Sequence, residues 1–421
     1  MDSAWWWPLG SLAIIGLLIL VIWRIRTHRN PSLNIDCDTP IQELTLSLAG
    51  ITSGTPVGGN SVQLLENGAF FDKLLERLAA AQKNIHFETF LWKDGELARK
   101  VAAVLLDRVR AGVKVRLMLD GIGGRHIGKE VLQQLRDAGC KVRFFHKRSL
   151  RNLGVINNRD HRKIVVIDGH EAFVGGHCIV DDWLGDAEDH THNADVSLWV
   201  HGPIVHSLQS TFAENWIGET GELFVGDEVF PRIHRTGDTV IHAVFAKPEG
   251  SPPAVKVLHH VALCLAKKRI WIQNPYFIPE PDAIDALGKA VQRGVDVRVL
   301  MPSASGSDNP IVQYAGRRNY EKLLRSGVQL FEYPHTLLHQ KVMTIDGAWS
   351  AIGSSNFDDR SFETNDEITL AVCDEDLATR LDAIWEKYAA RARQIELEKW
   401  LQRPWWHKAR EKVFYAAKEL L

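Results

Sequence analysis

The chain has 421 residues, with 50 basic and 52 acidic side chains and a net charge of −2. That length allows two domains of ordinary size, and an apolar content of 45% excludes a disordered chain. A charge so close to zero gives no global field for nucleic acid, and five scattered cysteines without a CxxC pair argue against a disulfide framework or a zinc ribbon.

Residues 5–23 read WWWPLGSLAIIGLLILVIW, with Ser11 the only clearly polar side chain. This is about the 20 residues needed to span a bilayer, and tryptophans at both ends suit the interfacial belts. A cleaved signal peptide would open on positive charge and close on small residues. Here Asp2 comes first and Arg24, Arg26 and Arg29 follow. Residues 1–30 are therefore expected to be an uncleaved, single-pass transmembrane anchor, with the bulk of the chain on the cytoplasmic side of the membrane.

Residues 31–60 read as a linker with one short amphipathic piece. Then α/β alternation begins. IHFETFLW at 85–92 has strand character, ELARKVAAVLLDRVRAG at 96–112 has helical spacing and a terminal glycine, and VKVRLMLD at 113–120 is a strand again. The second half replays this with RIWIQNPYF, AIDALGKAVQRG and VDVRVLMP. RAGVKVRLML and QRGVDVRVLM can be laid over each other, and the motifs described next recur at nearly the same offset. The pattern is a domain duplication: a first domain at 61–245 and a second at 246–395, each a mixed sheet flanked by helices. Residues 396–421, rich in Trp, Arg and Lys, read as an amphipathic C-terminal helix, docked on the core or lying on a membrane surface.

The chemistry sits in HRKIVVIDGHEAFVGGHCI from 161 and HQKVMTIDGAWSAIGSSNF from 339. Each is His-x-Lys, four residues, Asp-Gly, then a Gly-Gly or Gly-Ser. KIVVID and KVMTID are apolar and β-branched, as buried strands are. Residues two apart on a strand share a face, so His161 projects with Lys163 and His339 with Lys341. Asp168 and Asp346 complete the candidate catalytic set as motif members, but their odd spacing and following glycine give them a turn-closing, structural role. Gly176 and Ser354 are small enough to let a ligand approach, and are expected at the substrate with Asn356.

Two imidazoles and two ammonium groups make an anion site. A phosphodiester needs a nucleophile, an acid for the leaving alcohol, and cations for developing charge. Histidine can form a covalent phosphohistidine, a second histidine can shuttle the proton, and lysines stabilise the oxygens. No metal or other cofactor is needed. Each imidazole needs an orienting carboxylate, for which Asp195 and Glu367, each following its motif, are the candidates.

At this point the sequence resembles the phospholipase D superfamily, whose signature is HxKxxxxD followed by GGxN or GSxN, duplicated. Within it the resemblance is strongest to bacterial cardiolipin synthases, carried by NPYFIP (274–279), SDNPIVQYAGRRNYEKLLRSGVQLFEY (307–333), LHQK (338–341) and GSSNFDDRSFETNDE (353–367). It implies two-step phosphatidyl transfer through a phosphohistidine in one pocket between the halves, with His161, Lys163, His339, Lys341 and Asn356 on the phosphate. Phospholipids are the implied partners: phosphatidylglycerol, with phosphatidylethanolamine as a further donor. The chain departs from the pattern at Cys178, where the family often has Asn. The rivals are a hydrolase releasing phosphatidic acid, a nuclease, which would want a basic groove, and a non-catalytic membrane scaffold, against which both intact His-x-Lys pairs argue.

Overall fold

A computed structural model describes residues 10–18, 33, 35, 37–146, 158–246 and 253–416. Most of the apolar 5–23 stretch and the basic loop at 147–157 lie outside the described residues. Met1–Asn34 and Ile35–Leu421 form separate units. In the first, residues 10–18 are helical with Leu12, Ile14, Ile15, Leu17 and Leu18 exposed. Among the described residues no helix is long and apolar enough to cross a membrane.

The second unit begins inside the expected linker. Ile41–Leu44 forms a 3-10 turn and α1 (Thr45–Ile51) follows. They bury Ile41, Leu48 and Ala49, and the Thr52 hydroxyl lies 3.1 Å from His242 Nε2. Apolar spacing ties this segment to the core, which a purely polar linker would not allow.

The first half then runs β1 (Pro56–Glu66), α2 (Ala69–Ala80), β2 (Asn84–Thr89), α3 (Glu96–Arg110), β3 (Lys114–Asp120), α4 (Lys129–Asp137), β4 (Lys141–Phe145), β5 (Ile164–Ile167), β6 (Glu171–Gly175), β7 (Val196–His201) and α5 (Val205–Thr220). The second half runs β8 (Thr239–Ala246), α6 (Ala254–Leu265), β9 (Arg269–Gln273), α7 (Pro281–Gln292), β10 (Asp296–Pro302), α8 (Pro310–Arg317), α9 (Tyr320–Arg325), β11 (Gln329–Tyr333), β12 (Val342–Ile345), β13 (Trp349–Gly353), α10 (Asp359–Glu363), β14 (Glu367–Cys373) and α11 (Glu375–Ala389). A short β15 (Arg393–Gln394), α12 (Leu397–Leu401) and α13 (Trp405–Ala416) close the described chain.

Helix α3 buries one stripe, as its period requires, turning Leu97, Val101 and Leu105 inward, whereas α6 is buried on nearly every side. The strands join in one sheet ordered β15-β11-β10-β9-β12-β13-β14-β8-β1-β7-β6-β5-β2-β3-β4. Read outward from the β8/β1 contact, both directions give the same succession of elements, so the duplication is a pseudo-two-fold. That contact is antiparallel and interrupted between Val57 and Asn60. β8, beginning at Thr239, pairs with β14 of the second half on one side and with β1 of the first half on the other.

A core shared by both halves holds Leu64, Val166 and Leu198 together with Ile241, Val342, Ile352 and Leu370. This is why the halves form one unit and why a site can be built from both.

Candidate active site

The two motif strands are shorter than the motifs. His161 and Lys163 precede β5, and His339 and Lys341 precede β12. These lead-in segments pair with chain from the other half. The His161 amide donates to the Asp366 carbonyl at 2.9 Å and the Asp366 amide to the Arg159 carbonyl at 2.8 Å. In the mirrored place the His339 amide donates to the Ala194 carbonyl at 2.7 Å, and the Ala194 amide to Leu337 at 2.9 Å.

These bridges set the carboxylates. Asp366 is followed by Glu367, and Ala194 by Asp195. His161 Nδ1 accordingly lies 2.9 Å from Glu367 Oε1, and His339 Nδ1 lies 2.6 Å from Asp195 Oδ2. Each half orients the other half's histidine. With Nδ1 donating to a carboxylate, each Nε2 is left free for chemistry. Both carboxylates also take a second side-chain donor. The Ser354 hydroxyl donates to Glu367, and the Trp183 indole donates to Asp195 at 3.2 Å.

His161, His339 and Asn356 line one cleft of about 270 Å³, with Phe90, Trp183 and Tyr276 among its walls. Phe90 meets His161 edge-on at 5.0 Å, and Trp183 meets His339 edge-on at 5.1 Å. Lys163 and Lys341 are buried and do not themselves line the cleft; their ammonium groups donate to the carbonyls of His161 at 2.5 Å and His339 at 2.6 Å.

Burial pulls the imidazoles down, His161 to about 4 and His339 well below its ordinary value. The neighbouring lysines add to this, while Glu367 opposes it at His161. Lys341 is lowered to about 7, first by burial; Asp195 opposes the shift and the like charge of Lys163 adds to it. Burial alone would raise Glu367, but His161, Lys163 and Ser354 hold it below the usual carboxylate range. Burial raises Asp195. Burial thus favours the neutral imidazoles close to two lysines, an arrangement that an anion would relieve.

Four members of the expected site set sit elsewhere. Asp168 and Asp346 are not at the cleft. They occupy left-handed backbone at φ 54° and 56°, where a short polar side chain bonding locally is tolerated. Asp168 accepts the amides of Gln82, Lys83 and Asn84, and Asp346 those of Lys267, Lys268 and Arg269. Each carboxylate thus caps three backbone amides at a turn away from the cleft. Gly176 and Ser354 do not line the cleft either. A Cβ on Gly176 would sit 2.3 Å from Asp195 Oδ1, and Ser354 is fully buried on Glu367. Their smallness admits a carboxylate, not a ligand.

Cys178 lines the cleft opposite Asn356 in the duplication. Its thiol sits among apolar core residues, 3.9 Å from the Gly176 carbonyl, and burial raises its pKa. Asn356 keeps Oδ1 without a hydrogen-bond partner, a polar atom ready for a ligand. Sequence reasoning missed Trp183, which no motif marks. It also gave no role to Arg360, which lines the cleft with Arg159, the last residue of the basic loop at 147–159 that the sequence offers for an anionic headgroup or the bilayer surface.

A family model described as "Cardiolipin synthase, PLD-like domain" matches residues 74–216 and 261–389, one match per half. The chain belongs to this cardiolipin synthase family of phospholipase D-like proteins. It is 34% identical to a cardiolipin synthase of Geobacillus sp. (strain WCH70) over 86% of this chain and 73% of that one. It is 36% identical to cardiolipin synthase A of Pseudomonas fluorescens Pf-5 over 81% and 71%. Outside the cardiolipin synthase family, the fold resembles the crystal structure of phosphatidylserine synthase from Haemophilus influenzae Rd KW20. That likeness has a TM-score of 0.65 at 13% identity, over 90% of this chain and 99% of that one, and it concerns the fold alone.

Proposed function

We propose that the protein is a cardiolipin synthase that joins two phosphatidylglycerol molecules and releases glycerol. The observation that carries this reading is the crossed pair of His–carboxylate contacts at one cleft, in a chain of this family.

His161 Nε2 attacks the phosphorus of the first lipid, held in orientation by Glu367. The P–O bond to the glycerol headgroup breaks as His339 Nε2 gives that oxygen a proton, leaving a phosphatidyl-histidine. Lys163 and Lys341 offset charge on the non-bridging oxygens. A headgroup hydroxyl of a second phosphatidylglycerol then gives its proton to His339 and attacks phosphorus. The P–N bond breaks, and cardiolipin leaves. The phosphodiester supplies the negative charge that lets His339 carry a proton despite its burial. Arg159 and Arg360, which line the same cleft, would meet the second lipid's phosphate in this reading.

The apolar stretch at 5–23 is the membrane anchor in this reading, and the arginines that follow it put the catalytic unit on the cytoplasmic face. Exposed leucines and isoleucines along helical residues 10–18 support it.

The test is reconstitution of the full chain with phosphatidylglycerol as sole lipid. Cardiolipin with equimolar glycerol is expected. Phosphatidic acid would mean that water is the acceptor and the protein a hydrolase; no turnover of any lipid would favour a scaffold.

A further inference from the structure

Helix α13 is docked against α8 with its polarity inverted. Its inward side is polar and aromatic. Glu411, the only acidic residue of the helix, is buried and gripped by Arg403 through contacts of 2.6 and 3.3 Å. Arg410 lies 3.7 Å over the Tyr314 ring of α8, and Phe414 stacks on the same ring. Lys408 reaches Glu321 at 3.6 Å. Phe414 and Tyr415 pack on Ile278 and Val312, two residues that also line the catalytic cleft.

The outward side carries Trp405, Trp406, Ala409, Lys412, Val413 and Ala416, all exposed, at the spacing of one helical face. Trp405 is 79% exposed and Val413 68%. Ile311 of the neighbouring α8 is exposed as well, and Asp308 and Asn309 just before α8 lie on the cleft wall. A helix facing water should be polar on that side; this one is apolar, bears two tryptophans and a lysine, and shows no negative charge.

We propose that the outer face of α13, with Ile311, is a docking surface for an anionic lipid bilayer, and that it holds the cleft mouth against the membrane. Three observations select a lipid surface over a second protein copy. Paired exposed tryptophans suit the interfacial zone. Lys412 complements anionic headgroups, whereas a two-fold copy would bring this cation towards its own counterpart. The strip also runs on to a cleft whose substrate, in the reading above, is itself a lipid. That last argument rests on the proposed function; the inverted helix does not. The N-terminal anchor tethers the chain, while this face would set its orientation.

The test uses the full chain with Val413→Cys carrying an environment-sensitive fluorophore, in phosphatidylglycerol vesicles whose acyl chains are brominated. The unsubstituted chain, labelled in parallel, gives the background from native thiols. Quenching is expected at position 413, weaker in phosphatidylcholine vesicles and in Lys412→Gln. Absence of quenching would overturn the proposal, and a label shielded only through self-association, seen as a concentration-dependent dimer in detergent, would assign the face to a second copy instead. Turnover adds a second readout. Trp405→Ser/Trp406→Ser should lose about tenfold on vesicles and stay within about twofold on short-chain, monomeric phosphatidylglycerol. Equal loss on both substrates, or loss on neither, would count against docking. Quenching needs no turnover, so an inert protein that is still quenched would sink the proposed function and leave the docking face standing.

Discussion

The two histidines have matching contacts and different backing. Behind His161, Asp160 and Asp366 form the bridge between halves. They surround the fully buried Arg162, which reaches Glu214 at 3.2 Å and Asp366 at 3.8 Å. Burial raises Asp160 well above its ordinary value and brings nearby Glu88 to about 7. Behind His339 the same bridge is made by Ala194 and Leu338, both apolar and fully buried. Chemistry needs the same reach from both imidazoles, so that part is held alike. The layer behind only has to fill space and satisfy polar groups, and there the copies have diverged.

Equivalence at the reacting atoms is the first thing to break. His161→Ala and His339→Ala should each lower kcat by roughly 10³-fold or more. In a rapid quench with phosphorus-labelled lipid, His339→Ala should retain some acid-labile protein-bound label and His161→Ala none. Label surviving in His161→Ala would exchange the two roles.

The carboxylates come next. Glu367→Gln and Asp195→Asn should each cost about 10²-fold in kcat with the fold kept by circular dichroism. Similar losses would show that both crossed contacts serve catalysis; a loss confined to one would make the site functionally one-sided.

Cys178 and Asn356 sharpen the comparison further. Asn356→Cys removes a polar atom from the cleft and should raise KM or lower kcat about tenfold, equivalent to roughly 1.4 kcal/mol. Cys178→Asn places an amide in an apolar core, so about 1–3 kcal/mol of stability should be lost without a matching gain in rate. A large gain would mean that the thiol is a defect of the first copy.

The pH profile separates the empty cleft from the filled one. Lys341, at about 7 when the cleft is empty, is cationic below that pH and neutral above it. The acid limb comes from protonation of His161, at about 4. A plot of kcat/KM should therefore be full between these values and fall on either side. The bound phosphodiester favours the charged ammonium, so the alkaline limb of kcat should lie higher. Identical alkaline limbs would show that Lys341 does not sense the phosphate.

The smallest effect on rate is expected at the displaced aspartates. Asp168→Ala leaves three backbone amides without their acceptor and should lower Tm through a loss of about 1–3 kcal/mol, with kcat per folded molecule unchanged.

The duplication, the alternation of strands and helices, and both His-x-Lys pairs were legible because they are local patterns in residue type. Asp195 and Glu367 were legible as a pair because each begins the strand after its motif. Their crossing was not, since it depends on contacts between residues 206 and 144 positions apart and on the register of short bridges. Gly176 and Ser354 were misplaced for a related reason. A small residue signals close approach, but the sequence does not say whether a ligand or a neighbouring strand arrives. Trp183 carries no local mark, because its role arises only from the carboxylate it meets. The helix at 45–51 was legible only as a short amphipathic piece of the linker, in a stretch too short for its period to fix its bounds.

The most direct test of the crossed site is nitrogen NMR of the histidine side chains in the empty enzyme. Glu367→Gln should change the tautomer and titration of His161 and leave His339 nearly untouched, and Asp195→Asn should do the reverse. A response of each histidine to the carboxylate of its own half would contradict the account.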